Sequence, residues 1–373
     1  MYIRLYFVLC LTMALNFAQS AGDALKSPEV HSDRRVTFRL KAPKASTVKL
    51  WGDWITRFNT TETLEKNETG MWMVTVGPLP PGKHSYVFVV DGLALVDPNN
   101  SALAVGREGI EANLIGVPGN GPMFDDERNV PHGIVHMHWY YSSVGLGHRR
   151  FLVYTPPGYV TERRTRYPIL VLLHGSGSTE TGWTAVGSAN LIADNLLAER
   201  RMRPMLIVMP NGHNSASSEP DGSPAAHADR VEQDLLRDVI PLVESLYRSE
   251  RHPEYRAIAG ASMGGYQALA YGLRQTERFG NIGVFSAGAH GVEGGRQVVD
   301  AVAAGKLKHI GLFWIGIGSR DPLPKDAQAL DAILVQHKVP HQYNVTPDEG
   351  HTWLFWRRCL ADFLPQLFRH QRR

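Results

Sequence analysis

Cysteine is nearly missing, with two in 373 residues, at positions 10 and 359. Cys10 lies in an apolar leader-like run, so a processed chain keeps one thiol. It cannot close an internal disulfide, and the fold must stand on its core. An excess of one charge is missing too. There are 39 Lys and Arg against 36 Asp and Glu, and the formal net charge is +3. The basic residues are scattered, which excludes the footprint of a nucleic-acid binder. No long apolar run follows the first twenty residues, so no membrane partner is expected for the mature form. Repeats and low-complexity tracts are absent. With 43% hydrophobic and 20% charged residues, the chain is neither disordered nor a coiled coil. The glycine-rich stretch at 175–180 carries Glu180 where a dinucleotide fingerprint needs its third glycine, and no P-loop lysine follows. His132, His136 and His138 lie close together, but no cysteine or carboxylate cluster joins them. Neither a metal nor a cofactor is expected.

The pattern divides the chain into four parts. In residues 1–20, Arg4 precedes the apolar run Leu5 to Ala18, and Ala18-Gln19-Ser20 offers small residues for cleavage. The run is shorter than the ~20 residues a membrane span needs, so it reads as a signal peptide of a secreted or periplasmic protein. Residues 28–117 read as an all-β sandwich of short alternating strands, including Val36 to Leu40, Thr47 to Trp51, Met71 to Val76 and Tyr86 to Val90. Residues 118–133, rich in Gly, Pro and Asp, read as a linker. In residues 134–373, apolar runs (Ile169 to Leu173, Met205 to Met209, Ala257 to Ala259, Ile282 to Phe285, Leu312 to Ile317) alternate with helix-like stretches near 188–200, 229–248, 263–276, 325–336 and 353–369. That alternation predicts an α/β fold with a mostly parallel sheet covered on both faces. The polar stretch Asn211 to Asp229 reads as a long loop that could wall a cleft.

One motif carries chemistry. Gly260-Ala261-Ser262-Met263-Gly264 follows the strand-like Arg256 to Ala259 and opens a helical run. Strand, G-x-S-x-G and helix make a nucleophile elbow, in which glycines two before and two after the serine clear space for a sharp turn. A serine hydroxyl needs a base to attack. The chain order then calls for an acid and a histidine further on. His290, His309, His337, His341, His351 and His370 are available. His351 is preferred, because Glu349-Gly350-His351 is a turn between a strand-like run and the last helix. Asp321 follows the strand Leu312 to Gly318 and is the expected acid. Asp326 and Asp331 fall within a helix, and Asp348 and Glu349 are too near His351 in sequence. The oxyanion needs two backbone N–H donors, expected from Met263 and, after the strand ending Leu172-Leu173-His174-Gly175, from Ser176. His174, Gly175, Trp183 and Trp353 are candidate substrate-binding residues. Cys359, in an apolar-periodic stretch, reads as a buried hydrophobe.

With these residues assembled, residues from about 131 to 370 resemble the esterase-D-like branch of the α/β hydrolases, specifically carbohydrate esterase family one. The matching stretches are Val153-Tyr154-Thr155-Pro156-Pro157-Gly158-Tyr159, Leu172-Leu173-His174-Gly175 with Trp183 downstream, Ala259 to Gly265, and Glu349-Gly350-His351. The N-terminal part resembles the early-set sandwich found ahead of glycogen-debranching and branching enzymes, through Val36 to Pro43, Gly52-Asp53, Gly70-Met71-Trp72 and Tyr86 to Gly92. After Gly52-Asp53, however, Trp54-Ile55-Thr56 stands where that family often carries N-G-W. Trp51, Trp54 and Trp72 could form a sugar platform, or serve the core. The resemblance implies a serine carboxylesterase acting on acylated plant polysaccharide or oligosaccharide, with feruloyl esters first. Acetylxylan deacetylation and enterochelin-type siderophore-ester hydrolysis are alternatives. So is a non-catalytic glycan-binding protein on the same scaffold. Every candidate catalytic residue lies beyond the linker, which makes the sandwich dispensable for small soluble esters.

Overall fold

Ile169–Leu173, Leu206–Pro210, Arg256–Ala261 and Asn281–Phe285 are buried at every position. Strands of that composition need cover on both faces, which only a central place in a layered sheet provides. A computed structural model, describing residues 25–369 apart from 56–59, 107–108, 146 and 214–223, puts them there. Residues 1–20, read above as a signal peptide, lie outside the described residues.

The larger sheet has eight strands: β1 (Ile134–Tyr141), β2 (His148–Thr155), β3 (Ile169–Leu173), β4 (Leu206–Pro210), β5 (Arg256–Ala261), β6 (Asn281–Phe285), β7 (Leu312–Gly318) and β8 (Gln342–Thr346). Their spatial order is β1-β2-β4-β3-β5-β6-β7-β8. The first two are antiparallel to their neighbours and the rest are parallel. One core packs Val171, Val208, Ile258, Val284 and Ile315 against Val239 and Leu330. The other packs Leu172, Ile207, Ala259 and Phe285 against Ile192, Phe355 and Leu360. Cys359 is 3% exposed in the second core.

The helices depart from the pattern in several places. The stretch expected as loop to Asp229 turns helical at Pro224–Asp234, runs through one π turn at Leu235–Val239 and ends at Leu246. Proline at its first position pre-sets the backbone for helix. Gly291–Ala303 is helical although it holds three glycines, because Val298 and Ala301 dock into the core. The last helix is α-helical only over Trp353–Phe363, and Leu364–Gln366 tightens to a 3₁₀ turn. Pro365 there has no N–H to give the helix.

The N-terminal part is a sandwich. One sheet orders Glu29–Val30, Val36–Lys41, Met71–Val76 and Glu65–Lys66. The other orders Glu62–Thr63, Val48–Gly52, Gly82–Val90, Gly109–Val117 and Leu103–Gly106. Phe38, Val48, Leu50, Tyr86 and Phe88 fill the space between them. Trp54 stacks on Phe38 at 5.8 Å, and Trp72 is 7% exposed with its indole N–H donated to the Ala42 carbonyl. Of the three tryptophans weighed as a sugar platform, only Trp51 is exposed. Residues 118–133 lie against the larger domain. Asn195 donates to the carbonyls of Phe124 and Asp126, and Asp125 is buried. These bonds pin the connecting segment to the larger domain.

Candidate active site

The carboxyl ends of parallel strands are where an open α/β sheet binds ligands, and the candidate residues converge there. Ser262 sits between β5 and the helix Met263–Arg274, with φ 56° and ψ −120°. A non-glycine residue in that region stores about 1–3 kcal/mol of strain, and such strain clusters at functional sites. The glycines make the turn possible. A Cβ on Gly264 would stand 2.5 Å from the Leu173 carbonyl oxygen, and one on Gly260 would strike the backbone of Gly264.

His351 precedes Thr352, whose side chain caps the helix Trp353–Phe363 by accepting from the Phe355 N–H at 3.3 Å. Its Nε2 lies 2.9 Å from Ser262 Oγ and its Nδ1 lies 3.0 Å from Asp321 Oδ2. Asp321 ends the turn after β7. Its side chain is fully buried while that of His351 is a quarter exposed. Burial pushes the Asp321 carboxyl up, but the bonds from His351, Ser286 and the Leu323 N–H outweigh it and hold the group below its ordinary value. The carboxylate is therefore charged, as required of an acid that orients an imidazole and stabilises its cation.

Asp326, His290, Asp331, His341, Asp348 and Glu349 are engaged elsewhere. Asp326 accepts from Tyr266 at 2.5 Å and meets His290 at 2.8 Å. Asp331 meets His341 at 2.8 Å. Asp348 pairs with Arg320 at 2.6 Å, and Glu349 pairs with Arg358. His370 lies outside the described residues. Among the described residues no group of three metal-ligating side chains occurs. His132 bonds Asp194 and His138 bonds the Tyr247 hydroxyl.

Around the serine, Met263 opens its helix, so its N–H has no intrahelical acceptor. Ser176 is exposed in the loop after β3. Gly175 passes so near that a Cβ there would lie 3.6 Å from Ser262 Cβ. Two residues expected to touch substrate are buried. His174 is 1% exposed, accepts the Gly212 N–H at Nε2 (2.9 Å) and turns Nδ1 to the Gly175 carbonyl. Burial pushes its pKa down to about 4. Trp183 is 1% exposed and donates to the Leu173 carbonyl at 2.9 Å. Both are braces for the β3 loop: a strand end packed this tightly satisfies its polar groups internally. Trp353 stays partly open, edge-on to Trp183 at 5.2 Å.

Sequence reasoning missed the layer behind the site. Trp356 stands edge-on to His351 and donates its N–H to Ser286 Oγ, whose hydroxyl helps to hold the Asp321 carboxyl low. Arg149 is 4% exposed, pairs with Asp234 at 3.1 Å and donates to the carbonyls of Asn211 and His213. Glu180, also buried, takes Arg150 at 2.6 Å and the Asn211 amide at 3.0 Å. These residues lie far apart in sequence and form no motif. The one available signal was the spacing of Trp353 and Trp356 beside His351.

Strand order and site together define an α/β hydrolase preceded by an early-set sandwich. Residues 143–367 match the family described as putative esterase, and the chain belongs to it. Residues 35–122 match the glycogen recognition site of AMP-activated protein kinase. The chain is 31% identical over 354 residues to an endo-1,4-beta-xylanase/feruloyl esterase of Xylanibacter ruminicola, covering 92% of this chain and 46% of that protein. It thus spans about half the length of that relative, and less of others: 30% of an esterase of Mycobacterium tuberculosis, 31% identical over 147 residues. Among solved structures, a ferulic acid esterase superposes with TM-score 0.56 at 26% identity, over 65% of this chain and 99% of that one. An enterobactin esterase of Shigella flexneri superposes with TM-score 0.66 at 21% identity, over 89% and 92%, a likeness of fold across both domains.

Proposed function

We propose that the chain is an exported serine carboxylesterase that hydrolyses feruloyl and related hydroxycinnamoyl esters on plant cell-wall polysaccharide. The observation that carries this reading is the unbroken relay from Ser262 Oγ through His351 to Asp321, at 2.9 and 3.0 Å. In this mechanism His351 takes the serine proton as Oγ attacks the ester carbonyl. The N–H groups of Ser176 and Met263 receive the oxyanion. The imidazolium then returns the proton to the leaving alcohol, an acyl-enzyme remains, and water activated by His351 releases the acid. None of these steps calls for a cofactor.

The substrate class is supported by the relatives. One carries feruloyl esterase in its name, and the ferulic acid esterase structure aligns almost end to end, over 65% of this chain. An aromatic acyl group also buries more apolar surface than acetyl. At about 25 cal/mol per Å², ~100 Å² of extra burial corresponds to roughly 2.5 kcal/mol of selectivity if it is realised in the transition state. Export is the reading of residues 1–20. Among the described residues no helix is long and apolar enough to cross a membrane.

The test is kcat/KM on methyl ferulate, acetylated xylan and a catecholate trilactone, each with wild type and Ser262→Ala. Preference for methyl ferulate over an acetyl ester of the same alcohol, corrected for intrinsic reactivity, supports the reading. Preference for acetyl or for the trilactone replaces the acyl group but keeps the esterase. No turnover of any ester leaves a binding protein.

A further inference from the structure

We infer that the N-terminal sandwich is a working part of the catalytic site, with Lys83 and Arg357 as positioning residues. Together they hold the helix behind His351 in register with the segment that follows the oxyanion loop. This rests on the reading of Ser262, His351 and Asp321 given above.

Arg357 lies on the helix that begins at Trp353, two residues after His351. Its guanidinium is fully buried at the junction of three other segments. It donates to the Lys83 carbonyl of the sandwich at 2.7 Å and to the Val186 carbonyl at 2.9 Å. It also pairs at 2.7 Å with Asp125 of the connecting segment, the two side chains being 0% and 3% exposed. Lys83 closes the circuit from the sandwich side. Its ammonium donates to Ser188 Oγ at 2.9 Å and to the Ala185 carbonyl at 3.2 Å. Ala185 ends the short helix Gly182–Ala185 that follows the Ser176 loop, and Ser188 precedes the helix Ala189–Ala198. Beside this knot, Trp353, Leu114 and Ala185 pack against a cluster of Ala104 and Ala112 of the sandwich and Val186 of the larger domain.

An apolar junction can slide by an ångström at little cost. A buried guanidinium bound to fixed acceptors cannot, because losing one partner leaves charge uncompensated in a low-dielectric interior. The relative placement of the His351 helix and the Ser176 segment sets where the base stands against the oxyanion donors. A misplacement of an ångström there can cost about a hundredfold in rate. The sandwich therefore acts on kcat, on esters too small to touch it. That argues against its being dispensable. Its tryptophans point the same way, since Trp54 and Trp72 serve its core.

The test uses the full chain and two variants. Lys83→Met removes the ammonium but keeps the carbonyl that Arg357 uses. The double variant Asp125→Leu with Arg357→Met removes the buried pair without stranding either charge. The readouts are the rate constant for labelling Ser262 with a fluorophosphonate, kcat and KM for methyl ferulate per titrated serine, and the melting temperature. A purely structural role moves the melting temperature and leaves the labelling rate of folded protein alone. We expect labelling and kcat to fall about tenfold or more in both variants, with KM unchanged. Wild-type labelling in either folded variant overturns the inference. So does a Lys83→Met protein that cannot fold, which would make the junction a stability element only. If the double variant alone fails to fold, Lys83→Met decides. A wild type that labels at Ser262 yet hydrolyses none of the esters fails the substrate reading and leaves this inference standing. One that does not label fails the triad reading, and this inference with it.

Discussion

The indole of Trp356 stands edge-on to the imidazole of His351, ring centroids 5.1 Å apart and planes at 87°. The same indole donates its N–H to Ser286 Oγ at 2.9 Å, and the Ser286 hydroxyl helps to hold the Asp321 carboxyl below its ordinary value. One side chain thus braces both the base and the acid. The loops that carry them are also stitched directly. Ser319 N–H donates to the Thr346 carbonyl and Arg320 N–H to that of Glu349, each at 2.9 Å.

Trp356→Phe keeps a ring beside His351 and removes the N–H. We expect kcat to fall about three- to tenfold with KM unchanged, because Ser286 loses the partner that aims its hydroxyl at Asp321. Steady-state kinetics on methyl ferulate check this. An unchanged kcat would show that Ser286 is held without the indole.

Ser262→Ala and His351→Ala should each lose on the order of 10³-fold or more in kcat while keeping their fold. The double variant should be no slower than either single one, because the pair acts as a unit. Active-site-titrated kinetics measure all three, and a multiplicative double loss would show that the two residues act independently.

Asp321→Asn presents an amide N–H₂ or oxygen to His351 Nδ1 and no longer stabilises the imidazolium. A loss on the order of 10³–10⁴ in kcat is expected with little change in melting temperature. If activity stays near wild type, the acid lies elsewhere, and Asp326 is next.

His174 gives a pH signature. Its folded pKa is pushed down to about 4 from the ordinary histidine value of 6.5, because burial disfavours the cation. Between those values the unfolded chain binds a proton that the folded chain does not, so stability falls as pH drops from about 6.5 to about 4. The full shift corresponds to ~3 kcal/mol at most. His174→Gln keeps an acceptor for the Gly212 N–H and has no such titration. The gap in melting temperature between wild type and this variant should narrow across that window. A constant gap would mean that His174 does not stay neutral.

Local pattern determined much of this protein by itself. The elbow around Ser262 is dictated by near neighbours, since Gly260 and Gly264 must be bare for the chain to turn between a buried strand and a helix. Asp321 and His351 could be named because topology puts the ends of parallel strands on one edge, and each residue follows such a strand. Two-residue alternation and apolar runs marked the sandwich and the sheet. What the pattern could not carry is anything set by which surfaces meet. His174 and Trp183 read as ligand contacts because an aromatic or a histidine in a glycine-rich loop looks the same from sequence whether it faces solvent or backbone. Residues 118–133 read as a linker, and composition does not show that Asp125 within it is buried against Arg357. The bracing of Asp321 by Ser286 and Trp356, and the knot joining Lys83 to Val186 through Arg357, bring together residues far apart in the chain. Their hydrogen bonds exist only once the two domains and both faces of the sheet have packed, and no local propensity encodes a partner that distant in sequence.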